Sequence, residues 1–518
     1  MAQAVDKLRQ WTLAYRHKEE VAIAPGASVT LGPARDYRFV FVASQKLNVT
    51  IGSGGEEMKG TAFQGELFLV PADAPCTLSN ESPGRCEAVA VSFAFAGASR
   101  RQADPDGLFP RSGFHAFRLP QASGWMQDFH CDDSDPDPAL YCELQSHLYA
   151  IASGYLQSLR KPAGPDSALR SYVEQAQQLM LERYPKPIDI DELVRSSGFG
   201  TSRFYQAFRA LTGLSPHKYL TMIRLDASLR LLASRSSTVV ESAHAVGYPD
   251  EYYFSRLFKK QMGLSPTEYA RLAGIKIANL APVFLGDLSV LGITPYLSFQ
   301  RGWQERPEEA LRQLAAAKPE LILTGPLEEG LYEALSAIAP VMMLNWKQYS
   351  WKERLLRIAA RLELTGVAER WLAQYESRVH NARVQVKNSL GQEPVLLVQV
   401  YDEGYRVFGL RWKKMTDFFY QDLQVSAPDC IRDLRDLETA SIADIASIEC
   451  ENVLFLVPYG TREEDCAKLE ASWRRQRRHR RKKRCLFVRY PHVLNYNASV
   501  HGGLVDETVQ LLLKLDKA

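Results

Sequence analysis

The spacing of hydrophobic and polar positions changes several times along the chain. Between residues 21 and 96 it alternates in strand fashion, as in Tyr37-Arg38-Phe39-Val40-Phe41-Val42 and Glu66-Leu67-Phe68-Leu69-Val70-Pro71. Turn clusters interrupt it at Gly52-Ser53-Gly54-Gly55 and Ser79-Asn80-Glu81-Ser82-Pro83-Gly84. This predicts a small β-barrel or sandwich. Tyr141, Leu144, Leu148, Ile151 and Tyr155 then recur at steps of three and four, one seam of a helix that either packs back on its own barrel or pairs two subunits. Lys161-Pro162-Ala163-Gly164-Pro165 reads as a linker. From Asp166 to about Gly274 the period is helical throughout. Beyond Ile275, β runs such as Glu320-Leu321-Ile322-Leu323-Thr324, Val395 to Val400 and Val453 to Val457 alternate with helical segments, the texture of a two-lobed α/β domain with parallel sheet. The expected domains are 1–137, a pairing helix and linker over 138–165, an all-α domain over 166–273, and 275–518.

A shift of 50 residues aligns Phe204 to Tyr219 with Phe254 to Tyr269, and Phe, Phe, Gly, Leu, Ser, Pro and Tyr coincide at seven of the sixteen positions. Such a repeat means two copies of one supersecondary unit. Each copy has a short helix (Asp189 to Ser197; Val239 to Val246), a glycine followed by an aromatic residue (Gly198-Phe199; Gly247-Tyr248), and a second helix (Thr201 to Leu211; Asp250 to Gln261). Glycine permits the positive φ of a sharp inter-helix turn, so each copy reads as a helix-turn-helix. Phe204, Phe208, Phe254 and Phe258, spaced by four, should be core. That leaves Thr201, Ser202, Arg203, Tyr205, Gln206 and Arg209 outward in the first copy, and Glu251, Tyr252, Tyr253, Ser255, Arg256, Lys259 and Lys260 in the second. Arg can bind guanine bidentately, Gln adenine, and Glu can accept from cytosine, whereas Arg and Lys near helix ends suit phosphates. A continuous helix from Pro216 to about Ala233 joins the copies, about 27 Å at 1.5 Å per residue, long enough to set two reading helices near one B-DNA turn apart.

Composition adds exclusions rather than identity. The 518 residues are 46% hydrophobic and 24% charged, ordinary for globular protein and unlike disordered, collagenous or membrane-embedded chains. The net charge of +3 is too small to announce a nucleic-acid binder, although nine cations crowd into residues 474–484. The first twenty residues are interrupted by charges and lack an apolar signal core, so a cytoplasmic protein with no membrane partner is expected. Eight scattered cysteines without C-x-x-C pairs read as reduced thiols. The few histidines do not cluster, and no GxSxG, Walker or HExxH motif occurs, so no enzyme, metal site or directly bound cofactor is expected.

The duplicated helix-turn-helix with its Gly-Leu-Ser-Pro ends resembles the DNA-binding domain of AraC/XylS-type transcription regulators, over roughly residues 166 to 273. The resemblance implies recognition helices at Thr201 through Arg209 and Glu251 through Lys259, with Tyr252-Tyr253 departing from the more polar start common in that family. Residues 21 to 105 are similar to its cupin-like barrel through Gly65-Glu66-Leu67-Phe68-Leu69-Val70-Pro71. No histidine lies between His17 and His115, which argues against a metal-dependent cupin. Because such regulators often pair near the helix at Tyr141 to Tyr155, the resemblance favours a homodimer.

The C-terminal region resembles the iron-siderophore and cobalamin class of periplasmic binding proteins through Lys276 to Pro282, Leu291-Gly-Ile-Thr-Pro295, Leu311 to Gly325 and Ile338 to Met342. The helix around Val367 to Lys387 matches that class's inter-lobe element. A polyanionic ferric siderophore requires cations and aromatic walls beyond the carboxyl ends of strands. That rule nominates Arg301, Trp303, Trp346, Lys347, Tyr401, Arg411, Trp412, Tyr459, Arg489, Tyr490 and His492. The two resemblances together imply a ligand-responsive transcription factor, activating iron-siderophore uptake genes when a ferric siderophore, the expected effector, fills the cleft. The alternative is a regulator whose C-terminal domain docks a protein partner or binds another small molecule.

Overall fold

A computed structural model describes residues 12–53, 56–96, 113–129, 137–159, 165–234, 237–345, 348–402, 404–411, 413–476, 484–491 and 494–515. The chain divides into two compact units: residues 1–183 with 188–208, and residues 184–187 with 209–518. The boundary falls within the helical repeat.

The first unit is built on two antiparallel sheets. One has the order β1-β8-β3-β6-β9, from Thr12–Ile23, Cys86–Ala96, Tyr37–Val42, Glu66–Val70 and Ala116–Arg118. The other runs β2-β7-β4-β5, from Ser28–Leu31, Cys76–Ser79, Lys46–Ser53 and Glu56–Phe63. Strand β3 is buried on both faces, and its alternation sorts residues between two cores. Val40 and Val42 join Phe68, Val70, Val49, Ile51 and Leu78 between the sheets. Tyr37, Phe39 and Phe41 join Leu67 and Leu69 under helices α1 (Ala122–Asp128) and α2 (Pro138–Leu159).

Four residues of the helical seam, Leu144, Leu148, Ile151 and Tyr155, are at most 5% exposed within this second core. The stripe that could have paired subunits therefore covers the chain's own sheet. Tyr141 alone of the five is exposed. The unit continues with α3 (Pro165–Arg183), α4 (Ile190–Ser197) and α5 (Thr201–Thr212), the last crossing the boundary between units.

The second unit contains α6 (Pro216–Ala233), α7 (Val239–Ala245), α8 (Glu251–Met262) and α9 (Pro266–Ala273), followed by two sheets with their helices. The first sheet, β11-β10-β12-β13, is parallel throughout (Leu297–Ser298, Ile277–Asn279, Leu321–Thr324, Val341–Met343). Its helices include α10 (Leu285–Val290), α11 (Pro307–Ala317) and α12 (Glu329–Ser336). Helices α13 (Trp351–Arg361) and α14 (Thr365–Ser389) lead to the second sheet, β16-β15-β14-β17-β18 (Asp436–Thr439, Gly404–Phe408, Val395–Tyr401, Asn452–Pro458, Cys485–Tyr490). This sheet is mixed rather than wholly parallel, because β14, β15 and β16 pair antiparallel. Only two residues, 402 and 403, lie between β14 and β15, too few for a parallel crossover and enough for a hairpin.

One hydrophobic cluster links the helical repeat to both sheets of the second unit, and two smaller clusters lie on the other faces of those sheets. Leu225, Leu229, Phe254, Phe258 and Met262 from the helical repeat share it with Trp351, Val367, Tyr375, Val379, Leu397 and Leu504.

Candidate nucleic-acid interface and ligand cleft

The first helix-turn-helix is set by its caps and its glycine. Asp189 precedes α4 and accepts from the Glu192 amide at 3.0 Å, and Gly198 ends the helix with φ 69°. Phe204 and Phe208 are fully buried, while Thr201, Ser202, Arg203, Gln206 and Arg209 are exposed and Tyr205 is half-buried. The Arg203 guanidinium lies 5.7 Å from the centre of the Phe199 ring, which directs it along the turn.

In the second copy, Gly247 has φ 87°, and a Cβ there would fall 2.7 Å from the Tyr184 carbonyl oxygen. Glycine is thus required twice over, by conformation and by close approach. Asp250 caps α8, accepting from the amides of Tyr252 at 2.8 Å and Tyr253 at 3.0 Å. Phe254, Phe258 and Met262 point inward. Tyr252, Tyr253, Arg256, Lys259 and Lys260 are exposed, and Glu251 and Ser255 are half-buried. The Gly-Leu-Ser-Pro ends follow from helix chemistry. Gly213 and Gly263 close α5 and α8 at φ 75° and 80°, Ser215 and Ser265 stand before the next helices, and the prolines occupy first helical positions.

At the other end of the second unit a cavity of about 620 Å³ opens beside the ends of β10, β12, β14 and β18. Four nominated residues line it: Arg301, Trp303, Tyr401 and Tyr490. The Trp303 indole donates to the Leu280 carbonyl at 2.9 Å, fixing the ring at the wall. Tyr490 donates to the Val400 carbonyl at 2.9 Å and accepts from Gln399 at 3.2 Å, and burial raises its hydroxyl above the ordinary tyrosine range.

Sequence reasoning missed Arg406, Gln399, Asn495 and Tyr496 in the same lining. Gln399 and Arg406 are register partners across β14 and β15, and their neighbours two residues on, Tyr401 and Phe408, share their face. A cation two positions before an aromatic residue in a hairpin was the available signal. Arg406 pairs with Glu438, its Nε at 2.9 Å, and sits 5.7 Å from the Tyr401 ring centre. The Tyr496 hydroxyl donates to Asp417, whose carboxyl burial pushes up to about 7.

The remaining nominations are not brought into this cleft. Arg411 pairs with Asp433 at 2.9 Å on the surface, and Tyr459 is half-exposed outside the lining. Arg489 is held by the Thr461 carbonyl and Glu463, both at 2.6 Å; as the strand neighbour of Tyr490 it necessarily takes the opposite face. Trp346, Lys347, Trp412 and His492 lie outside the described residues.

The family described as helix-turn-helix domain matches residues 173–272, and the family described as periplasmic binding protein matches residues 311–447. The chain carries an AraC-type DNA-binding domain followed by a periplasmic-binding-protein domain. Similar proteins include the HTH-type transcriptional activator Btr of Bacillus subtilis (strain 168), 26% identical over 342 residues, covering 61% of this chain and 62% of Btr. Another is the MmsAB operon regulatory protein of Pseudomonas aeruginosa, 34% identical over 90 residues, 17% of this chain and 29% of that protein. The matches span less than two thirds of either relative's length. Among solved structures, FhuD2 from Staphylococcus aureus with bound ferrioxamine B is similar over 46% of this chain and 99% of FhuD2, at TM-score 0.37 and 15% identity. The helix-turn-helix domain implies DNA binding. Among the described residues, no helix is long and apolar enough to cross a membrane.

Proposed function

We propose that the chain is a ligand-responsive transcription regulator that activates iron-siderophore uptake genes when a ferric siderophore occupies the C-terminal cleft. The observation that carries this reading is the shared core: α8, a reading helix, packs in the same hydrophobic cluster as the two lobes that bound the cleft. Any ligand that favours one arrangement of the lobes acts on helices continuous with the reading surface. The ligand shifts that equilibrium only by the difference in its affinity for the two arrangements.

The cleft chemistry supports a polyanion with organic bulk. Arg301 supplies a cation, Arg406 a second that it shares with Glu438, and Trp303, Tyr401 and Tyr490 supply flat walls. Similarity to Btr, a transcriptional activator, supports the positive sign. The facing antiparallel sheets of the first unit support its assignment as the cupin-like part.

The test uses the full chain. Ferric trihydroxamate and tricatecholate siderophores are added during thermal unfolding, and a binder should raise the melting temperature by mass action. The same compound should change affinity for operator DNA. Silence of both readouts across the panel would overturn siderophore sensing, and unchanged DNA affinity despite a raised melting temperature would overturn the regulatory link.

A further inference from the structure

We propose a second small-molecule site in the first unit, a pocket of about 160 Å³ beside β9, α2 and α3 that takes an uncharged, hydroxyl-bearing molecule about the size of one aromatic ring. It is separate in chain and chemistry from the C-terminal cleft, so it stands whether or not that cleft binds a siderophore.

Size sets the first limit, since an engineered cavity of roughly 150 Å³ accepts a benzene ring. Phe117, Phe199 and Tyr172 give the pocket apolar walls. Charge sets the second limit. Arg118 lines the pocket, but it forms an ion pair with Glu66 at 3.2 Å and donates to the carbonyls of Gln64 and Ser196 at 2.5 and 2.8 Å. Glu66 balances its charge and its Nη1 and Nη2 are engaged, which disfavours an anion. His115 lies against Ser158, Nε2 to Oγ 2.8 Å, and burial lowers its pKa, keeping the imidazole neutral at neutral pH. A cationic ligand would gain only the already paired Glu66.

One polar atom in the lining asks for a partner. The side-chain oxygen of Gln175 is buried and has no hydrogen bond among the described residues. An orphaned buried acceptor costs free energy that a ligand O–H can recover. The lining thus favours a ring with a hydroxyl over a ring with none, and over a ring with a carboxylate.

The position gives such a ligand a consequence. Arg118, at the end of β9, holds the carbonyl of Ser196, and a Cβ on Gly198 would meet its guanidinium at 2.3 Å. Phe199, the next residue of that turn, is a pocket wall. An occupant therefore rests on the sheet and on the turn of the first helix-turn-helix together.

Phenol is the probe for the test, with toluene and benzoate as controls, read by saturation-transfer NMR on the full chain. Phenol should bind saturably, and toluene and benzoate at least about tenfold more weakly, the scale of one unmatched buried hydrogen bond. Gln175→Met, close in shape, should weaken phenol binding about tenfold and leave toluene unaffected. Ala168→Phe, at an exposed residue of the lining, should block all binding without threatening the fold. Absence of saturable phenol binding would overturn the proposal. So would binding that survives Ala168→Phe, ignores Gln175→Met, or ranks benzoate above phenol.

Discussion

Arg256 stands on the outer face of α8 within two turns of the Asp250 cap, the part of a recognition helix that reaches base edges. Replacing it with alanine should weaken specific operator binding by about 1–3 kcal/mol and relax preference at one base position. Competition gel shifts with altered operators check this, and equal loss on every sequence would make Arg256 a phosphate contact instead. His501 poses a different question, because it is fully buried, with Nδ1 at 2.8 Å from the Asn497 carbonyl and its ring stacked 4.8 Å from Trp351. Burial lowers its pKa to about 3. The unfolded chain therefore takes up a proton below pH of about 6.5 while the folded chain does not, so stability falls as pH drops from there towards about 3. The loss should approach about 1.4 kcal/mol per pH unit from this residue alone. Urea midpoints of the wild type and His501→Gln should converge on acidification across that window; parallel curves would count against it.

Among elements, the clearest structural dependence is the buried ion pair that ties α10 to α13. Arg354 donates to Asp287 at 2.6 Å and to the Tyr496 carbonyl at 2.6 Å, and Asp287 accepts from the Ala498 amide at 2.9 Å, the start of the helix Ala498–Leu515. Both side chains are fully buried. Arg354→Met should cost about 3–5 kcal/mol by leaving a carboxylate without its partner, whereas the double variant with Asp287→Leu should recover much of that. Denaturant titration distinguishes them. The sequence made the helical repeat legible because each element there is fixed locally: paired phenylalanines four apart, a glycine at each turn, a serine and proline at each restart. It named Trp303 and Tyr490 in the cleft by the same local logic. Arg406 and Tyr496 were not legible, because what brings them together is a hairpin register and a return of the chain 90 residues further on, past β18, information no local period holds. The seam of α2 was legible as a seam, yet its partner was not, since a heptad pattern does not say which apolar surface it meets.

For the second unit as a whole, α14 is the element that contacts both the helical repeat and the second lobe. Near its start, a Cβ on Gly366 would lie 2.3 Å from the Met262 carbonyl oxygen, so backbone packs on the end of α8 with no room for a methyl group. One turn on, Arg370 donates to Asp226 of α6 at 2.7 Å, and further along Asn381 donates to the Ala210 carbonyl at 2.9 Å. On the lobe side, Tyr375 donates to Asp422 at 2.8 Å. Gly366→Ala should force these helices apart at a cost of about 1–3 kcal/mol. If the proposed siderophore control holds, its diagnostic effect should be loss of the ligand's influence on DNA affinity while ligand binding persists, measured by paired thermal-shift and DNA-binding titrations. Retention of the full influence would place the coupling elsewhere.

The cluster that joins residues from Leu225 to Leu512 also bears on where the gene can be cut. A truncation after Gly274 would strip Phe258, Met262 and Leu229 from their neighbours and leave a greasy scar on the remaining half. The second unit should therefore melt in a single calorimetric transition, and fragments beginning near residue 275 should aggregate where the intact chain stays monodisperse.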